Sequence, residues 1–278
     1  MILERGTACC ALALALVFGG SGSEAAAKLS EGSHQLAYAA GLGDRQLAAV
    51  TVSPRPRTSP AACPGTTARV GSDSVAYAAV VKHIAVIHTR PQGRSPVIRR
   101  FDRLNQNGFH EVLAIVGVHR GARCRPDWYR VELPVLPNGT SGWVRTWAVA
   151  SYRVRSRIEI DISEKVLRLY RAGTLAFESR IAVGTAATPT PLGRYYVNER
   201  YVLPDARGPF GPYALGISAH SDVLQHVWVE DGPIGIHGTN QPWTVGQAAS
   251  HGCIRLPNTA MRRLFPLAPA GTPVNVKA

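Results

Sequence analysis

The sequence predicts a mainly β protein: a small N-terminal β-barrel followed by a larger, β-sandwich-like domain with one short helix. Three observations predict this. Short β-branched and aromatic runs recur along most of the chain, separated by Gly, Pro and Asn turn signals at the spacing of antiparallel strands. Helical periodicity is convincing only once, at Asn258 to Phe265, entered through Pro257 and stopped by Pro266. The chain has 278 residues, 45% of them hydrophobic, which is enough to bury at least one proper core.

Taken in order, residues 1–27 read as a secretory signal peptide. Ala8 to Gly20 is an apolar run too short to span a bilayer comfortably, and Ala25 and Ala27 offer small residues for cleavage. Residues 28–79 are rich in Ala, Ser, Pro, Gly and Thr and read as a linker. Residues 80–150 hold the runs "HIAVIHTRP", "HEVLAIVGVH", "DWYRVELP" and "SGWVRTWAVA", which make the small barrel. Residues 157–277 form the second domain. "RIEIDISEKVLRLYRAGTLAFESRIAVG" reads as two hairpin strands and a third, with turns at "SEK" and "RAG". "YYVNERY", "YALGISAH", "QHVWVED" and "GIHG" continue the strands, and "TPVNVKA" closes them.

The net charge is +13, and the signal peptide, with Arg5 against Glu4 and Glu24, contributes none of the excess. The arginines are scattered and form no basic stripe interleaved with aromatics, which argues against nucleic acid. For an exported chain the fitting counter-charge is an acidic envelope polymer. With the signal removed, no stretch suits a stable membrane span, and the expected location is secreted or in the cell envelope.

Export also bears on the cysteines. Cys9 and Cys10 leave with the signal, so Cys63, Cys124 and Cys253 remain. Cys63 and Cys124 share the N-terminal half, and the simplest pairing is between them. Such a bond closes a loop of about 60 residues, contributing roughly 4 kcal/mol by loop entropy. It sets Cys253 apart for another role.

Cys253 stands in "SHGCIRL", downstream of "GIHGT". A structural zinc site wants four ligands at short spacing, and His237, His251 and Cys253 supply three at an uncommon one. No metal or cofactor is implied. A nucleophile fits better. A thiol near its ordinary pKa is mostly protonated at neutral pH, so it needs an imidazole or a positive field, which His237 and His251 offer. Gly252 allows close backbone approach, so the Gly252 and Cys253 amides could line an oxyanion hole. Arg255 offers a fork for a carboxylate. In extended chain, residues 251, 253 and 255 share one face. The i, i+2 pair His251 and Cys253 is then about 7 Å apart, whereas His237 arrives from another strand and can face the sulfur. The expected base is therefore His237, with Gly238 letting a carbonyl fix its tautomer.

At these residues "IHGT…ASHGCIRL", with "ATPTPLGRYYV" upstream, resembles the signature of the L,D-transpeptidase catalytic domain. The resemblance covers 157–277. It implies an acyl-enzyme on peptidoglycan stem peptides, with Cys253 as nucleophile and His237 as base. Gly238, Ser250, His251, Gly252 and Arg255 then form the substrate and oxyanion side, and a lid lies near 204–221. It also implies release of D-Ala from a tetrapeptide stem and a 3–3 cross-link to an acceptor stem. Over 80–150 the run "WYRVEL" then "GWV" resembles bacterial SH3-like domains, which would place the enzyme on the cell-wall polymer. Two alternatives keep the same residues: an envelope Cys–His peptidoglycan hydrolase (endopeptidase or L,D-carboxypeptidase), and a non-catalytic wall-binding protein.

Overall fold

The computed structural model describes Cys63, residues 65–224 and residues 232–278. The expected signal peptide, most of the expected linker and the expected strand "QHVWVED" lie outside the described residues.

Eight strands make the first sheet: β1 (Thr66–Arg69), β2 (Ala76–Val81), β3 (Ala85–His88), β4 (Val97–Phe101), β5 (Val112–Arg120), β6 (Pro126–Glu132), β7 (Ser141–Arg145) and β8 (Val149–Val154). They are ordered β4-β3-β7-β6-β5-β2-β8, and β1 pairs with β5. Alternation drives the packing. Val81, Ile87, Leu113, Val131, Leu133 and Val144 turn inward to a common core, while Ala78, Val112 and Val154 form a second buried cluster. The start of this sheet corrects the sequence reading. The expected linker ran to residue 79, yet Thr66–Arg69 and Ala76–Val81 are strands paired with β5. Their Thr and Ala content hides them: Ala78 and Ala79, on opposite faces of β2, are both fully buried, in different clusters. Cys63 and Cys124 meet beside β1 in disulfide geometry, with Cα atoms 4.8 Å apart.

The second sheet uses β9 (Ser156–Asp161), β10 (Val166–Arg171), β11 (Thr174–Arg180), β12 (Val183–Gly184), β13 (Gly193–Val202), β14 (Tyr213–His220), β15 (Pro233–His237), β16 (Ala248–Ser250), β17 (Ile254–Arg255) and β18 (Pro273–Lys277). Eight of them run in the order β11-β10-β9-β18-β13-β14-β15-β17, and β12 pairs separately with β16. The turns fall at "SEK" and "RAG", as the sequence suggests. β18 lies in the middle of the sheet, parallel to β9 and antiparallel to β13. Helix α1 (Asn258–Leu264) follows Pro257, whose ψ of 141° is non-helical, and passes through Pro266 into a short 3-10 turn. Met261 and Leu264, spaced i, i+3, bury one face against Ile158, Leu169, Leu215, Ile236 and Ile254.

The two sheets belong to one compact unit. Tyr196 donates its hydroxyl to the Glu132 carbonyl (3.3 Å), and Tyr152 donates to the Ala270 carbonyl (3.0 Å). Asn138 forms a two-way clasp with the His220 backbone, donating to its carbonyl at 2.8 Å and accepting its amide at 2.9 Å. No helix among the described residues is long and apolar enough to cross a membrane.

Candidate active site

β15 and β17 run parallel, with Ile236 opposite Ile254 and His237 opposite Arg255. The period of two sends Ile236 and Ile254 into the core. His237 and Arg255 take the other face. Cys253 immediately precedes β17 and is buried. The chain thus brings His237 and Cys253 to neighbouring strands.

His237 is 2% exposed. Its Nδ1 donates to the Gly238 carbonyl at 2.5 Å, which places the proton on Nδ1 and leaves Nε2 with its lone pair. Nε2 is buried and has no hydrogen-bond partner among the described residues. Burial, with a smaller push from Arg255, lowers the imidazole to about 4 against the pull of the Gly238 carbonyl. At neutral pH the ring is an uncharged base. Phe210 meets it edge to face, ring centroids 4.9 Å apart, and holds its plane.

Cys253 is fully buried. The chemistry below is that of its reduced thiol.

The turn before it departs from the sequence reading. Residues 251, 253 and 255 do not share one wall, because Gly252 has φ +113° and breaks the extended chain. A Cβ there would stand 2.8 Å from Ile234 Cδ1. His251 is consequently exposed while Cys253 and Arg255 are buried. The Gly252 amide, expected as an oxyanion donor, donates instead to Ser250 Oγ at 3.1 Å. Ser250 Oγ in turn donates to the Cys253 carbonyl at 2.5 Å. Ser250 is the internal brace of the turn. Arg255 donates from Nη1 to Gln241 Oε1 at 3.2 Å.

Sequence reasoning missed the residues that brace this turn from outside. Thr190 Oγ1 accepts the Gly184 amide at 2.9 Å and donates to the Gly252 carbonyl at 2.8 Å. Thr188 donates to the Ser250 carbonyl (3.2 Å), and the Thr185 amide donates to the same oxygen (3.0 Å). Asn258, read only as a helix start, accepts the Thr239 amide (2.8 Å) and donates to the Ala206 carbonyl (3.2 Å). It thereby ties the Gly238–Thr239 corner to the 206–211 segment. "ATPTP" and the Asn after Pro257 were the only signals available, and neither says which residues meet across the fold. Among the described residues no group of three or more His, Cys, Asp or Glu side chains is placed to hold a metal ion.

The L,D-transpeptidase catalytic domain matches residues 155–276, a span that contains β15, the 250–253 turn and Cys253. A Bacillus subtilis protein provisionally named L,D-transpeptidase YkuD is 37% identical over 125 residues, which cover 45% of this chain and 68% of that protein. The chain belongs to the L,D-transpeptidase YkuD family. The Bacillus licheniformis protein of the same provisional name is 38% identical over 120 residues, 43% of this chain and 64% of that one. The chain thus spans about two thirds of these relatives' length. Among solved structures, the catalytic domain of the E. faecium L,D-transpeptidase aligns with 44% of this chain and 96% of its own length, at 27% identity and a TM-score of 0.32. This L,D-transpeptidase domain holds a fixed, neutral imidazole at His237 and a buried sulfur at Cys253.

Proposed function

We propose that the protein is an extracytoplasmic peptidoglycan L,D-transpeptidase that uses Cys253 as nucleophile and His237 as base. The observation that carries this is the His237 Nε2 atom: buried, unpartnered, with its tautomer fixed by Gly238, on the strand next to Cys253. In the first half, Nε2 takes the thiol proton as sulfur attacks the carbonyl carbon of the third stem residue. The carbon–nitrogen bond breaks, and the imidazolium returns the proton to the leaving D-alanine amine. In the second half an acceptor amine attacks the thioester, the carbon–sulfur bond breaks, and the amine's proton passes through Nε2. The new amide is a 3–3 cross-link. Arg255 supplies positive charge on the same face, and Ser250, Gly252 and Thr190 keep the sulfur's turn rigid. His251, exposed at the rim, meets the stem peptide.

The remaining assignments follow from that reading. Residues 1–27 direct export, residues 157–277 act on the stem, and the first sheet, read as SH3-like over 80–150, positions the enzyme on the wall polymer. An oxidising envelope suits the Cys63–Cys124 bond. The decisive experiment incubates the reduced full chain with a tetrapeptide-stem disaccharide and follows products by mass spectrometry. Free D-alanine with a cross-linked dimer is expected. Absence of any D-alanine release from the reduced protein would overturn the proposal.

A further inference from the structure

The strand register of the first sheet sets Arg69 of β1, Gly117 of β5, Arg130 of β6 and Trp143 of β7 in one row across four neighbouring strands. Directly opposed residues of an antiparallel sheet point the same way, so all four share a face. It is the face away from the core, since the adjacent Val131 and Val144 are the residues that turn inward. Arg69 and Arg130 are exposed, and Trp143 is half-buried. Between the arginines Gly117 presents bare backbone, where a Cβ would stand 3.2 Å from Arg130 Cβ and 3.3 Å from the Ala68 carbonyl oxygen. The other half of this face, around Ala78, Val112 and Val154, is closed by packing against Ala270.

The open half is cationic and uncompensated. Neither Arg69 nor Arg130 forms an ion pair among the described residues. Asp127, the acid at the start of β6, is held by His119 Nδ1 at 2.7 Å. The Arg130 fork is set by Ser141 Oγ, which accepts from Nε at 3.3 Å and from Nη2 at 3.0 Å and leaves Nη1 for another acceptor. A fork already held in place loses less freedom when it binds. Trp128, in the neighbouring row, is 1% exposed beneath Arg145, which lies 4.1 Å from its ring centroid. Trp143 is therefore the indole of this row left accessible to a ligand, with His119 edge-on to it at 6.4 Å.

We infer that this row binds a carboxylate-bearing polysaccharide of the wall, with Arg69 and Arg130 on carboxylates and a sugar ring against Trp143. The inference rests on the extracytoplasmic reading and adds a binding surface separate from the site that acts on stem peptides. Arg69 and Arg130 lie two strands apart, about 10 Å at the backbone, which is the repeat of a disaccharide in an extended chain. In such a chain every second ring turns the same edge to the protein. One carboxylate then meets each arginine while the ring between them crosses Gly117. Trp143, one strand further, takes the next ring, whose C–H face suits the electron-rich indole. Each guanidinium matches a planar carboxylate with two parallel hydrogen bonds. Two spaced forks suit charges at intervals better than the continuous phosphates of a nucleic acid, which recruit many cations. The sequence shows no basic stripe here because the row is assembled from four strands far apart along the chain.

The test titrates the full chain at low ionic strength with oligogalacturonate, polyglutamate, a chitin oligomer and duplex DNA. Oligogalacturonate, with a carboxylate on every ring, is expected to bind and to weaken as salt rises. Polyglutamate has carboxylates without rings, and chitin has rings without carboxylates, so each should bind about tenfold or more weakly. Arg69→Gln and Arg130→Gln should each raise the oligogalacturonate Kd by about fivefold to tenfold, the loss of one charge-assisted pair. Trp143→Ala should bring it to the polyglutamate value. Arg69 makes no side-chain hydrogen bond among the described residues, so its variant keeps the test valid should Trp143→Ala disturb the sheet. An unchanged Kd in the double arginine variant would overturn the inference, as would no binding by wild type, equal binding of polyglutamate, or tighter binding of DNA. D-alanine release from the tetrapeptide stem is followed in parallel. If wild type releases none, the transpeptidase reading has failed, a result distinct from any outcome of the polymer titration.

Discussion

At the end of β15 the protein buries a base, and at the entrance to β5 it buries an acid. His237 and Glu111 are both nearly inaccessible, and the charge on neither is balanced by an ion pair among the described residues. Burial drives them in opposite directions, the imidazole down to about 4 and the carboxyl up to about 7, because in each case it penalises the charged form. One is thereby kept as a neutral base, and the other becomes a carboxyl that ionises near neutrality. The difference teaches that the same desolvation keeps a base ready to accept a proton and an acid holding its own until near neutrality. A local hydrogen bond decides how far each role is fixed: His237 has the Gly238 carbonyl, and Glu111 has nothing comparable.

The sharpest way to break this comparison is to remove the base. His237→Ala is expected to slow acylation of Cys253 by about 10²–10⁴-fold, the range for a lost general base. His251→Ala, at an exposed position, should change the acylation rate by less than about tenfold. Single-turnover intact-mass measurements with the reduced protein distinguish them. Equal losses in both variants would remove the distinction between the buried and exposed imidazoles.

A smaller effect is expected at the corner that orients the base. Asn258→Ala leaves the Thr239 amide and the Ala206 carbonyl without their side-chain partner, at a cost of about 1–3 kcal/mol. Acylation should fall by roughly tenfold through misplacement of Gly238, and the melting temperature should drop with it. Asn258→Asp keeps the acceptor for Thr239 and should recover part of the rate. No recovery would mean that the Ala206 contact alone matters.

The pH dependence of stability compares the two groups directly. His237 binds its proton near 6.5 when unfolded and near 4 when folded. Its stabilising contribution is complete above 6.5 and is lost as the pH falls toward 4. Glu111 binds its proton near 4.5 when unfolded and near 7 when folded, so its contribution is complete below 4.5 and is lost as the pH rises through 7. Glu111→Gln should therefore melt higher than wild type at pH 8, with the gap narrowing by pH 5. A shift of roughly 2–4 °C corresponds to each kcal/mol in a chain of this size. A gap that widens on acidification would contradict the raised pKa.

The hydrogen bond from the His237 ring to the Gly238 carbonyl was legible in the sequence because the two are near neighbours: "IHG" holds both the ring and the carbonyl that fixes it. The strands of 157–277 were legible from alternation, as was the single helix from its prolines. What was not legible depends on long-range meetings. Thr190 reaches Gly252, Asn105 reaches Glu199, and no local pattern announces either contact. β1 and β2 escaped because small and hydroxylated residues lack the apolar alternation by which strands are recognised. The wall expected at 251, 253 and 255 failed on one backbone angle, at Gly252.

The central place of β18 has a consequence for how the enzyme comes into being. A chain synthesised from its N-terminus makes β9–β11 and β13–β17 long before Pro273–Lys277 exist, and β18 is the strand that joins the two sets. Until it arrives, β9 and β13 present open edges, and the half-sheet bearing His237 and Cys253 has no partner to complete it. Pairings of this sequence separation form late and slowly. The β13–β17 half of the sheet, which carries His237 and Cys253, is thus joined to the β9–β11 half only through a strand that follows both in sequence.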